Sequence, residues 1–126
     1  MLRASRRLLR PGGRTAYFTI FVAPGVSKRD HRRAVRHGPR AVSSSKEQAE
    51  LFEAGGFVRP VVIDVTQDFL ETTRRWLAHA SELESGLRNS LGDAVFDEQQ
   101  AGREEMITAV EEGLLCRALF VGTRPP

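Results

Sequence analysis

Three histidines, one cysteine, a serine run and two glutamate pairs are the side chains of this 126-residue sequence that could carry chemistry. His31, His37 and His79 are not at metal-ligand spacing with one another or with Cys116. His31 and His37 lie among arginines and read as solvated surface, and His79 reads as the polar side of a helix. Ser43–Ser45 has no histidine near it in sequence, so it reads as a helix cap rather than a nucleophile. Glu104-Glu105 and Glu111-Glu112 read as solvated helix faces, because acid/base work needs a pocket around the carboxylates. Cys116 sits in an apolar run, reads as a small filler, and by itself forms no internal disulfide. There is no G-x-G-x-x-G and no P-loop; Gly12-Gly13 precedes a strand, whereas a phosphate-binding loop precedes a helix. What remains is an aromatic stripe, Phe69, Trp76 and Phe96. It reads first as core. A ligand pocket is the second reading, since helices lying over the carboxyl edge of a sheet lie where open α/β sheets bind ligands.

The elements that would position these residues follow from periodicity. Residues 107–125 carry a helix end, a glycine stop at Gly113, and an apolar run Leu115–Val121 broken only by Arg117, which suits an interior strand. Residues 1–10 form an amphipathic helix with Met1, Ala4, Ser5, Leu8 and Leu9 on one face, ended by Pro11-Gly12-Gly13. Residues 15–22 are β-branched and aromatic throughout, so both faces of that strand are expected to be covered. Ser27 with Asp30 resembles a capping box for a short basic helix, which Gly38-Pro39 stops. Ser44-x-x-Glu47 is a second capping box, and its helix ends at Gly55-Gly56. Residues 57–65 form the next strand, and Pro60 within it argues for an edge position. Thr66 can cap a long helix whose stripe is Phe69, Thr73, Trp76, Ala80, Leu83 and Leu87, with Gly86 as a point of interruption. After Gly92-Asp93 a second helix carries Phe96, Gln99, Arg103, Ile107, Val110 and Leu114, giving an antiparallel pair in which Trp76 packs on the helix of Phe96 and Ile107.

Composition is that of an ordinary soluble domain, with 40% hydrophobic and 28% charged residues. No apolar run approaches the roughly 20 residues that span a bilayer. The expected location is cytoplasmic; the arginine-rich start also resembles a mitochondrial presequence, but it runs directly into a core-like strand. Net charge is +3, unevenly spread: up to Lys46 the sole acid is Asp30, against about a dozen Arg and Lys. Such a gradient fits a nucleic-acid arm or two oppositely charged faces. No aromatic residue interleaves Arg6-Arg7 or Arg32-Arg33, so bases would have no stacking platform and nucleic acid is not the expected partner.

Three phrases taken in order resemble a known family. L-L-R-P-G-G-R-T-A-Y-F-T-I resembles a helix end and the fifth strand of class I S-adenosylmethionine-dependent methyltransferases. L-F-E-A-G-G-F-V-R-P-V-V-I-D-V-T looks like the next helix, its glycine stop and the sixth strand, and G-L-L-C-R-A-L-F-V-G-T-R-P like the seventh, antiparallel strand. The resemblance spans the whole chain and covers only the carboxyl-terminal half of the family's domain. It implies an α/β fold: a partial Rossmann-like domain over residues 1–126, with a three-stranded mixed sheet whose last strand is antiparallel, flanking helices, and a helical pair inserted before that last strand. The family's glycine-rich turn and second-strand acid, which hold S-adenosylmethionine, have no counterpart here.

The resemblance implies methyl transfer to a small-molecule acceptor, with this chain inactive alone. Such chemistry asks the protein chiefly to position the acceptor, so no dedicated nucleophile is required. Phe21, Pro24, Phe69 and Trp76 are the candidate pocket residues; no catalytic, metal or cofactor-binding residue is assigned. The alternative is a non-catalytic interaction module. In the family's strand order the strand ending at Val121 lies between 15–22 and 57–65, which leaves one side of the Thr15–Val22 strand open to self-association or to a partner chain.

Overall fold

The computed structural model describes residues 1–39, 42 and 48–126. The Ser43–Ser45 run and the Ser44–Glu47 capping box lie outside the described residues. The elements are α1 (Leu2–Leu8), β1 (Arg14–Val22), α2 (Lys28–His37), α3 (Gln48–Ala54), β2 (Val58–Asp64), α4 (Thr66–Glu82), α5 (Glu84–Leu91), α6 (Asp93–Glu111) and β3 (Leu115–Thr123). The sheet order is β1-β3-β2. The last strand therefore runs between the other two and antiparallel to both, with Tyr17 opposite Phe120, Ile20 opposite Arg117 and Ile63 opposite Leu119. β1 and β2 point the same way but meet only through β3, and both are edges.

Pro60 shows why β2 tolerates its edge place. It lacks an N–H for the ladder, and the register to β3 shifts between Val58 and Val61, with Arg59 at φ 52°. A non-glycine residue at positive φ is strained, and an edge bulge is where the sheet can accommodate it.

Alternation along the strands makes two faces. On one, Tyr17, Phe21, Ala118 and Phe120 meet Phe52, Phe57, Leu2 and Leu9, so α1 and α3 cover this side. Phe52 is the centre: it stacks on Tyr17 at 5.2 Å and meets Phe57 edge-on at 5.6 Å. On the other face, Ile20, Val22 and Leu115 meet Ala34, Phe69, Leu70, Ile107 and Val110 from α2, α4 and α6.

Several expectations are corrected. In α1 the packed residues are Leu2 and Leu9, while Met1 and Leu8 are almost fully exposed. The helix lies against the glycine end of α3, where Leu2 Cβ and the Arg6 guanidinium come so close that a side chain at Gly55 or Gly56 would collide. The long stripe breaks at Leu83, where α5 begins, rather than at Gly86. Arg88 holds that corner, bonding Glu84, Asp93 and Asp97 with its guanidinium over the Phe96 ring. Trp76 is 56% exposed; Leu70 and Leu77 of α4 take the inward places instead. Thr66 does not cap α4. The Asp64 carboxylate accepts the Thr66 N–H at 2.8 Å, and the Thr66 hydroxyl bridges to the backbone of Arg117.

The expectation that both faces of β1 are covered also fails in its first half. Phe18 is 53% exposed, and on β2 so are Val61, Val62 and Ile63 at about half. The helices α4 and α6 reach only the end of the sheet near Ile20, Val22 and Leu115, and among the described residues nothing extends their layer over Phe18, Val61 and Ile63.

Candidate functional site

Where α4 and α6 lean over the sheet they enclose a hollow of about 890 Å³. It lies at the carboxyl end of β1, beside Ile20, with Arg117 of β3 in its floor. Helix α4 contributes Phe69, Thr73 and Trp76, one turn apart or nearly so, which is why they share a face. Helix α6 contributes Glu98, Arg103 and Met106, and the end of α2 adds Arg36 and His37. The glycine stop after α2 and the turn at Gly113 (φ 74°) bring these helix ends to the same side of the sheet.

The floor is fixed from below. Arg117 N donates to the Thr66 hydroxyl at 3.0 Å, and Arg117 O accepts from Val65 N at 2.9 Å. The start of α4 is thus tied to the first part of β3. The Arg117 guanidinium lies 4.4 Å from the Phe18 ring centre and 5.3 Å from that of Phe69. Among the described residues the Arg103 guanidinium bonds only the neutral Gln100 side chain, at 2.7 Å. His37 Nδ1 is buried 3.4 Å from a Glu105 carboxylate oxygen and makes no hydrogen bond among the described residues.

Of the residues named from sequence, Phe69 and Trp76 line this hollow. Phe21 lies across the sheet, edge-on to Phe120 at 6.0 Å, because it alternates with Ile20, which does face the hollow. Pro24 is exposed in the Pro24-Gly25 turn after β1, where Gly25 takes φ 79°, and is not in the lining. His37 was expected on the solvated surface; it is half-buried in the hollow's wall. His79 is on the polar side of α4 beside Glu82, as its place in the stripe required. Arg117, Arg103 and His37 were not named as pocket residues. Arg117 left a sequence signal as a charge in an otherwise apolar strand, and Arg103 a weaker one as a charge on the stripe of Phe96, Ile107 and Val110.

Among the described residues no three His, Cys, Asp or Glu side chains group as a metal site, and no helix is long and apolar enough to cross a membrane. The two glycines on the hollow, Gly38 and Gly102, sit at the end of α2 and inside α6. Neither forms the strand-to-helix turn that would cradle a cofactor's charged end. Burial pushes the Cys116 thiol up, with the Asp64 carboxylate adding to it, so Cys116 is not a thiolate at neutral pH.

This architecture is that of part of a methyltransferase fold. Phosphoethanolamine N-methyltransferase 2 of Haemonchus contortus, solved with phosphomonomethylethanolamine and S-adenosylhomocysteine, superimposes with a TM-score of 0.80 at 16% identity, over 99% of this chain and 29% of that one. The same enzyme with S-adenosyl-L-methionine gives 0.79 at 16% identity, over the same shares. A protein assigned as a sarcosine dimethylglycine methyltransferase, from Galdieria sulphuraria, gives 0.84 at 13% identity, over 98% of this chain and 46% of that one. The chain thus spans less than half the length of these structures. Neither a family model nor a curated protein sequence matches it.

Proposed function

We propose that this chain is the acceptor-side part of an S-adenosylmethionine-dependent methyltransferase, acting on a small molecule once the cofactor-binding part is joined to it. One observation carries the reading: nearly the whole chain superimposes on methyltransferases of which it spans only 29–46%. The Haemonchus enzyme was solved with the cofactor and with its demethylated product. The hollow at the strand ends supplies a wall of apolar and basic side chains against which an acceptor can be held, and positioning is the larger part of what methyl transfer asks of a protein.

The cofactor's place lies outside what these residues can build, so the chain by itself is expected to be inactive. Joining takes place at β1. Among the described residues no strand pairs with its outer side, and Phe18 beside it is exposed. A non-catalytic interaction module is the second reading, favoured by the exposed apolar groups Phe18, Val61 and Ile63 on the sheet.

Calorimetry and sedimentation test this pair of readings. The isolated chain is expected to show no S-adenosylmethionine site and to self-associate, with β1 amides gaining protection from hydrogen exchange on association. A specific micromolar cofactor site on the monomer would refute the partial-enzyme reading. A stable complex formed on β1 with a partner chain, but blind to S-adenosylmethionine and without methyl transfer, would leave the interaction module.

A further inference from the structure

We infer that the hollow is built for a small molecule carrying an oxyanion, carboxylate or phosphate, on an apolar body, and that Arg117 is the residue that binds the oxyanion. The inference rests on reading the hollow as the acceptor side, and it names the acceptor's chemical class.

Arg117 is the charge that interrupts the central strand. Its neighbours on that sheet face are Phe18, Ile20 and Leu119. Placing a guanidinium among apolar side chains works against folding unless something compensates. The compensation inside the chain is partial. The aromatic rings of Phe18 and Phe69 meet the guanidinium, which is a modest cation–π gain. Among the described residues no carboxylate lies within ion-pair distance, and none of the guanidinium N–H groups has a hydrogen-bond partner. Four arginines on the helices, Arg33, Arg74, Arg75 and Arg88, find carboxylates; Arg117, although it stands among apolar side chains on the central strand, finds none among the described residues. Cation–π contact uses none of the guanidinium N–H groups as hydrogen-bond donors to oxygen, so the fork that grips a carboxylate or phosphate through two bonds is left for whatever enters the hollow that Arg117 lines.

The rest of the wall fits the same class. Trp76 offers a broad apolar surface, more than half of it exposed and otherwise unexplained by packing. Phe69, Ile20 and Met106 extend that surface, and Arg103, which bonds neutral Gln100, adds a second positive charge. Two carboxylates also line the hollow, Glu98 and Glu105, both exposed on α6, and Glu105 lies against His37. The half-buried charges on the hollow are therefore basic, which favours an anionic over a cationic head group.

The sequence has one tryptophan, so the hollow contains its own reporter. Trp76 fluorescence is followed while the chain is titrated with hexyl phosphate, hexanoate and hexanol at constant ionic strength. One or both anions should give a saturable change below about 10 mM, with hexanol at least about tenfold weaker. Which anion binds tighter tells phosphate from carboxylate. Arg117→Met should weaken anion binding about tenfold or more, and Arg117→Lys, which keeps the charge but not the fork, by a smaller factor. If the methionine variant does not fold, the lysine variant decides. Equal binding of hexanol, unchanged binding by Arg117→Lys and Arg117→Met, or no saturable signal would each overturn the inference. None of these results bears on cofactor recovery by the joined complex, so the methyltransferase reading stands or falls separately.

Discussion

Gly122→Ala is the sharpest probe of how the sheet is seated on α3. Gly122 lies on β3 opposite Thr15, on the face that holds Phe52. A Cβ placed there would stand 2.7 Å from Phe52 Cδ1 and 3.1 Å from Phe57 Cβ, with Phe52 Cε1 nearer still. Carbon atoms rest comfortably at about 3.5–4.0 Å, so the ring would have to withdraw by roughly an ångström. It has nowhere to go: Phe52 is fully buried, with Tyr17, Phe57 and Phe120 centred 5.2, 5.6 and 5.9 Å away. Overpacking of this kind costs about 1–3 kcal/mol. For a chain of this length that is a fall in Tm of about 3–15 °C. Thermal unfolding followed by circular dichroism reads the effect. The double variant with Phe52→Leu, which removes the clashing ring edge, should show a favourable coupling of about 0.5–3 kcal/mol relative to the sum of the singles. An unchanged Tm for Gly122→Ala, or strict additivity in the cycle, would refute the seating of α3 on β3.

Two further predictions concern α4. Trp76→Ala should cost under about 1 kcal/mol in urea unfolding, because the ring is largely outside the core; a loss of several kcal/mol would return it to the core. Asp64 is held below its ordinary value of 3.8 by Thr66, whose nearby hydroxyl is the larger influence and whose backbone N–H donates to the carboxylate at 2.8 Å. Its folded pKa is thus below the unfolded one, so its contribution is present above the ordinary value and lost as pH falls through the depressed one. Asp64→Asn should therefore lie below the wild type in Tm near neutral pH and converge with it in acid; a pH-independent gap would show that the carboxylate's charge plays no part.

The local pattern of this sequence determined most of the elements. Gly113 ended a helix and Leu115–Val121 read as a buried strand because both signals are carried by the residues themselves. Pro60 told of an edge because a missing N–H excludes a central place whatever the rest of the chain does. Helical periodicity put Phe69 and Phe96 in the core, where they are buried, but misjudged Trp76. A stripe says which residues share a face; it does not say how far along the helix the neighbouring element reaches, and α6 and the sheet leave Trp76 half outside. Phe21 was misplaced for a related reason: in a strand whose residues are all apolar, nothing in the pattern distinguishes the two faces, and only pairing with Cys116 and packing on Phe120 settle which way it turns. His37, Arg103 and Arg117 come from three separate elements, and their meeting is a property of the crossover and the helical insertion. Arg117 could be noticed beforehand, as a charge out of place in an apolar strand, and Arg103 as a charge on a helical stripe. What Arg117 faces was decided by α4 folding back over the sheet, tied there by Thr66.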